Sequence, residues 1–186
     1  MRGRISKRTG MLIVIMTMAS FASYEAALAG TAAEIDRDAD SALQKLYDST
    51  PAAKELAKVA KGILIFPDIV KGGLIIGGQY GEGALRIDGK STGYYSSVAA
   101  SYGLQAGVQK FGYALFFMTD SSLEYLKKSE GWEIGVGPTL VVVDEGVSKS
   151  LTTTTVKSDI YAFFFSQQGL MAGIGIQGSK ITRLEK

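Results

Sequence analysis

The residue types able to do chemistry in this 186-residue chain are limited by what it lacks. His and Cys are both absent. That removes a Ser-His-Asp triad, a Cys nucleophile, a thiolate zinc site, a haem proximal His and an iron–sulfur cluster. It also removes a disulfide framework and thiol redox chemistry. Catalysis would fall to carboxylates, Lys, Tyr, Ser or Thr, and a metal would have to be a hard cation on oxygen ligands. No constellation of these residues supports an enzyme, a metal or a cofactor.

Several motifs come close to a known chemistry and then miss it. Asp88-Gly89-Lys90-Ser91-Thr92 looks like the end of a phosphate loop, but position 84 is Ala where that loop needs Gly. The residues after it, Thr92-Gly93-Tyr94-Tyr95, read as strand rather than helix, so a hairpin turn is expected. Gly78-Gln79-Tyr80-Gly81-Glu82-Gly83 reverses the dinucleotide-binding order, and no helix follows. Asp144-Glu145-Gly146 lacks the run of oxygen ligands of a calcium loop and reads as a charged turn. Trp132, the one Trp, is expected in the core or at its rim.

Lysines offer a binding surface instead. Lys54, Lys58 and Lys61 share one face of an expected helix, and Lys71 lies beyond the strand that follows. Such a row could meet anionic headgroups, each Lys adding about 1 kcal/mol at an anionic surface. The competing reading is a solvated helix face. From residue 30 to 62, six acids face five bases, which keeps the surface signal weak.

The elements that position these residues begin after a targeting segment. Arg2, Arg4, Lys7 and Arg8 precede an apolar run from Met11 to about Ala22, and Ala27-Leu28-Ala29 forms a small-x-small site. This is the three-part pattern of a signal peptide over residues 1–29, with export to the periplasm or outer envelope expected after cleavage near Ala29. The whole chain carries a formal charge of +2; without the four bases and one acid of the leader, residues 30–186 carry −1. Nucleic-acid binding through bulk charge loses its support, and none is expected.

Residues 30–186 read as two helices followed by strands. Thr31-Ala32-Ala33-Glu34 fits a capping box. Ile35, Ala39, Ala42, Leu43 and Leu46 recur at helical spacing to about Tyr47, with Asp36, Asp38 and Asp40 on other faces. Thr50-Pro51 restarts a second helix, Thr50 as its N-cap, with Ala53, Leu56, Ala57 and Ala60 inside. After Gly62 the period changes. Ile63–Phe66 is a strand expected to stop at Pro67, and Gly81-Glu82-Gly83 and Asp88-Gly89 are turn signals around Ala84–Ile87. Leu104, Ala106 and Val108 alternate with polar or small residues, as do Leu170, Ala172, Ile174 and Ile176. Tyr113–Met118 and Ile160–Phe165 are continuous apolar runs expected as central strands. A short helix is expected from Ser121 to Lys128, and Val141–Val143 and Thr152–Thr155 complete the strands.

Ala60-Lys61-Gly62-Ile63-Leu64-Ile65-Phe66-Pro67, Lys71-Gly72-Gly73 and Gly77–Gly83 resemble the SYLF domain, as do Ser101–Gln109 and Gly169–Ile174. The matches fall in order over about 35–180. The resemblance implies a lipid-binding, non-enzymatic domain. Eukaryotic members are linked to phosphoinositides and to actin at sites of membrane remodelling, with an N-terminal amphipathic helix and basic residues serving membrane contact. Bacterial members are commonly exported, which would keep such a chain away from actin. The first helix here departs from that pattern in being acidic. By position, Lys58, Lys61 and Lys71 are the residues to test.

These readings converge on an α+β protein: two N-terminal helices packed on a Gly-rich, largely antiparallel β-sheet or partly closed barrel. Its expected role is non-enzymatic binding of phospholipid, anionic phospholipid above all, or another amphiphile at a membrane surface, through Lys54, Lys58, Lys61 and Lys71. A structural or partner-binding envelope protein, a small outer-membrane β-barrel and an enzyme built on carboxylates or Tyr remain the alternatives.

Overall fold

The computed structural model describes residues 30–73, 76–102, 107–144, 147–148, 151–152, 154–169 and 175–186. The expected signal peptide and most of the alternating segments at 104–106 and 170–174 lie outside the described residues. Residues Ala32–Lys186 form one compact unit.

Two N-terminal helices, α1 (Ala32–Ser49) and α2 (Pro51–Ala57), precede an eight-stranded sheet. Its strands are β1 (Gly62–Gly73), β2 (Ile76–Ile87), β3 (Lys90–Tyr102), β4 (Gly107–Phe117), β5 (Trp132–Glu133), β6 (Leu140–Val143), β7 (Ile160–Gly169) and β8 (Lys180–Leu184). A third helix, α3 (Asp120–Lys128), follows β4. The strand order is β5-β8-β3-β2-β1-β4-β7-β6, and the sheet curls into a half-barrel. The α+β class and the helices-then-sheet order are as the sequence predicts. All pairs are antiparallel except β6 with β7, which run parallel.

The sheet separates two cores. On one face, Ile35, Ala39, Ala42 and Leu46 of α1 and Ala53 and Leu56 of α2 pack on Ile63, Ile65, Ala84, Phe116 and Phe163. On the other, Leu64, Phe66, Leu85, Tyr113, Leu115 and Phe117 pack on Leu123 and Leu126 of α3 and on Trp132. Full burial of each such large side chain contributes about 1.5–3 kcal/mol. The continuous apolar runs in β1, β4 and β7 follow from this arrangement, because both faces of those strands are covered.

Pro67 does not stop β1. The strand continues through it, with one extra residue at Pro67-Asp68 against both neighbours: Ile65 pairs with Ala84 and Val70 with Tyr80, while Phe66 pairs with Tyr113 and Ile69 with Phe111. A bulge is where a central strand can hold a residue that has no N–H. Gly81 and Gly83 are correspondingly not a turn. Both lie inside β2, where a Cβ on Gly83 would collide with the Ile65 carbonyl oxygen and one on Gly81 with that of Asp68. Gly112 of β4 closes on the bulge from the other side: a Cβ there would stand 2.7 Å from the Pro67 carbonyl oxygen and would overlap the Phe165 ring.

The Asp88-Gly89 turn holds as expected. Both residues have positive φ, 50° and 74°, the backbone of a type I′ hairpin. Thr50 caps α2 by position only, since its side chain makes no cap hydrogen bond. Thr152, Thr154 and Thr155, expected in a strand, lie outside any strand. The Thr155 hydroxyl accepts from the Thr152 N–H at 2.8 Å and donates to the Thr152 carbonyl, satisfying the backbone locally. Ile176 is buried but outside any strand. Trp132 is buried, its Nε1 donating to the Val136 carbonyl at 2.9 Å.

Asp159 fixes the parallel crossing. Its Oδ2 accepts from the Thr139 N–H at 3.0 Å and from the Thr139 hydroxyl at 2.8 Å, and its Oδ1 accepts from the Thr119 hydroxyl at 3.2 Å. Thr119 in turn caps α3 through the Ser122 N–H. The Thr139 N–H and hydroxyl hold the Asp159 carboxyl below its ordinary range.

Gly83→Ala should lower stability by about 3 kcal/mol, a fall in Tm of roughly 6–12 °C, whereas Gly175→Ala, where a Cβ meets nothing, should leave it unchanged. Thermal melts of the two variants test this. Because the pKa of Asp159 is depressed on folding, its contribution is present above the ordinary Asp pKa and is lost as pH falls through the folded value. Asp159→Asn should therefore lower Tm at pH 7 and flatten the acid limb of a Tm-against-pH series.

Candidate functional site

The four lysines expected to bind lipid do not form one site. Lys54 and Lys58 are exposed on and just after α2, and Lys61 is exposed immediately before β1. Lys58 contacts Glu55 at 2.6 Å, and Lys61 stands 3.8 Å from Asp120 of α3. Lys58 and Lys61 line an open groove with Val59, Ile87, Asp88 and Lys127. Glu124 also lines it, and Lys127 and Lys128 both pair with that carboxylate. The Lys128 contact, then Lys127, lowers the Glu124 pKa. Charges in the groove are thus largely matched. Lys71 is ten residues along the chain near the other end of β1, about 30 Å away at strand rise. It faces the side of the sheet opposite α1 and is flanked in register by Gln79 and Gln109.

A different surface stands out past the Pro67 bulge. There α1 no longer covers the sheet, and one cross-strand row runs Lys110, Val70, Tyr80, Val98, Lys180 over β4, β1, β2, β3 and β8. The next row is Val108, Gly72, Gly78, Ala100, with Ile76 beyond. Val70, Ile76, Tyr80, Val98 and Val108 are five large apolar side chains exposed on this one face, Ile76 and Val108 each at 67%. At 108–109 the alternation places the apolar residue outward: Val108 is exposed and Gln109 is buried. Gln79 and Ser97 are likewise buried on the opposite face, Gln79 donating to the Ser179 hydroxyl at 2.9 Å and Ser97 accepting from Tyr113 at 2.8 Å. Gln79, Ser97 and Gln109 of this half of the sheet are thus inside, while Val70, Tyr80, Val98 and Val108 are outside. A run of apolar residues on one exposed face marks an interaction surface.

This face is uncovered partly because of where α1 is anchored. Arg86 of β2, with only 11% of its side chain exposed, donates to the Asp36 carbonyl at 3.0 Å and pairs with Asp40 at 2.5 Å. The Asp36 carboxylate accepts from the hydroxyls of Ser91 and of Tyr94, the latter at 3.0 Å. Asp36 and Asp40 of α1 therefore bind the sheet. Sequence periodicity could not reveal this, because Arg86 is 46 residues from Asp40. Burial, followed by the Asp36 hydrogen bond, raises the Tyr94 pKa.

Residues 98–186, just under half of the chain, match the family model described as Ysc84, Las17-binding protein actin regulator. Over these residues the chain is similar to the Ysc84 (SYLF) domain family, consistent with the resemblance carried by its motifs. No curated protein matches the chain. The SYLF segment starts at Val98, inside the exposed apolar row, and takes in Val108, Lys110 and Lys180. The four expected lysines, Val70 and Tyr80 precede it. Among the described residues, no group of three or more acids could hold a metal ion, and no helix is long and apolar enough to cross a membrane.

Asp36→Ala should cost about 1–3 kcal/mol by removing hydrogen bonds that hold α1 to the sheet. The Tyr94 phenol should then titrate closer to its ordinary value, which tyrosine-resolved NMR titration would show.

Proposed function

We propose that this protein is an exported, non-enzymatic binder of phospholipid or another amphiphile at a membrane surface. The observation that carries the reading is the apolar sheet face of Val70, Ile76, Tyr80, Val98 and Val108, bordered by Lys110 and Lys180. An apolar surface with cationic edges gains from burial in the acyl boundary and from anionic headgroups at the rim. The similarity of residues 98–186 to the SYLF family supports the same class of role. The family is described by Las17 binding and actin regulation; an exported chain would meet neither, and nothing in the charge balance invites nucleic acid.

Two features favour peripheral contact over spanning. The described sheet ends in edge strands β5 and β6, whereas a spanning barrel must close. Helices α1 and α2 also occupy part of the face that carries the apolar row. Lys54, Lys58, Lys61 and Lys71 contribute at most a distant electrostatic attraction, since Lys58 and Lys61 already face carboxylates.

Protein purified from cells expressing the full chain, mixed with neutral and anionic phospholipid vesicles at two salt concentrations, should co-sediment. Val70→Asp combined with Val108→Asp should cut binding at least tenfold, while Lys58→Ala, Lys61→Ala and Lys71→Ala together should change it less than threefold. Absence of co-sedimentation with any vesicle would overturn the reading and favour a protein partner on the same face. Loss confined to the lysine variant would instead move the contact to the groove beside α2 or to Lys71 on the other side of the sheet.

A further inference from the structure

A second feature lies along the border of the apolar face. A cleft of about 230 Å³ opens between α1 and the sheet at the level of the β1 bulge. Its walls carry Asp38 and Lys45 of α1, Asp68 of the bulge, Lys110 of β4, and Ser166 and Gln168 of β7. Two irregularities shape it. Besides the Pro67-Asp68 bulge, β7 holds an extra residue between Phe165, opposite Gly112, and Gln168, opposite Lys110. Ser166 sits there at φ 54°, a backbone conformation uncommon for a residue other than Gly.

The charges in this cleft come in both signs. Lys110 pairs with Asp68 at 3.0 Å, and Asp38 accepts from its neighbour Arg37 at 3.2 Å. Lys45 stands on the α1 wall with no ion pair among the described residues. A simple anion entering the cleft meets two carboxylates, and a simple cation meets two lysines. A ligand carrying an ammonium and a phosphate a few bonds apart satisfies both. The volume is below that of a pocket for a drug-sized molecule, so it suits a headgroup rather than a whole lipid. Lys110 is the direct cross-strand neighbour of Val70, and Val108 lies two residues along the same strand. A chain leaving the cleft therefore runs onto the apolar face.

We propose that the cleft takes the zwitterionic headgroup of an ethanolamine phospholipid, its ammonium on Asp38 and Asp68, its phosphate on Lys45 and Lys110, and its acyl chains across Val70 and Val108. This inference rests on the membrane-surface reading above and adds the headgroup class. Ethanolamine is favoured over choline because a primary ammonium donates three hydrogen bonds to carboxylates. A quaternary ammonium donates none and calls for an aromatic cage, and no aromatic side chain is among the residues lining the cleft.

The test compares co-sedimentation of protein from the full chain with three kinds of vesicle: phosphatidylcholine alone, phosphatidylcholine with phosphatidylethanolamine, and phosphatidylcholine with phosphatidylglycerol. Phosphatidylethanolamine should raise binding at least fivefold over phosphatidylcholine alone. Asp68→Asn and Lys110→Gln should each erase that increment, and Asp68→Asn should do so while leaving the binding to phosphatidylcholine intact. Both side chains are about half exposed, 52% and 47%, so the variants should keep the wild-type melting curve. If either misfolds, NMR titration of the wild-type protein with soluble glycerophosphoethanolamine decides, with shifts expected at Lys45, Lys110 and Asp68. Equal binding to the first two vesicles, a gain from phosphatidylglycerol alone, or no shift with the soluble headgroup would overturn the headgroup assignment and leave the membrane reading standing. Failure to bind any vesicle would overturn both.

Discussion

The close contact between the β1 bulge and three glycines governs much of this structure. The extra residue at Pro67-Asp68 turns the carbonyls of Ile65, Pro67 and Asp68 toward the neighbouring strands, and only residues without Cβ can stand against them: Gly83 and Gly81 on β2 and Gly112 on β4. With β1 at the centre of the strand order, its bend is transmitted to both sides. A bulge increases local twist, and β7 repeats the device at the same level through Ser166. The curl of the half-barrel follows from this line of irregularities across its middle. The same line divides the face that carries α1 into a covered half and an open one.

The covered half was largely legible in the sequence. Helical spacing of Ile35, Ala39, Ala42 and Leu46 identifies the buried stripe of α1, and the continuous apolar runs identify β4 and β7 as doubly covered. The Asp88-Gly89 turn carries its own backbone signature. What failed were inferences treating Gly and Pro as punctuation. Gly81 and Gly83 are steric concessions to a strand beside them, and Pro67 marks a bulge rather than an end. Neither meaning can be read locally, because the partners lie on other strands, 13 to 18 residues away on β2 and 45 away on β4. Thr152–Thr155 failed for a different reason: hydroxyls that bond their own backbone compete with strand pairing.

The open half was less legible still. Alternation gives two faces but not which one meets water, and at Val108 and Gln109 the ordinary assignment is reversed. The lysines expected from spacing along α2 are real surface residues, yet while Glu55 is the local i,i+3 partner of Lys58, the Asp120 carboxylate near Lys61 comes from a position that spacing does not connect with it. Asp36 and Asp40 of α1, two of the acids that set this chain apart from the amphipathic pattern implied by the family resemblance, find their role in Arg86, Ser91 and Tyr94. Long-range pairing, rather than composition, separates the residues that hold the fold from those left to meet a partner.

The topology has a consequence for the order in which the chain can assemble. Strands β1, β2 and β3 are successive antiparallel neighbours, so they can zip together from local contacts. The far edge of β3, however, pairs with β8, more than 80 residues further along. Until residues 180–184 arrive, the backbone amides and carbonyls of Tyr94–Val98 present an open template, next to the apolar side chains of the uncovered face. During synthesis or transport, the intermediate with β3 unpaired is therefore the form most exposed to association with a second unfinished chain.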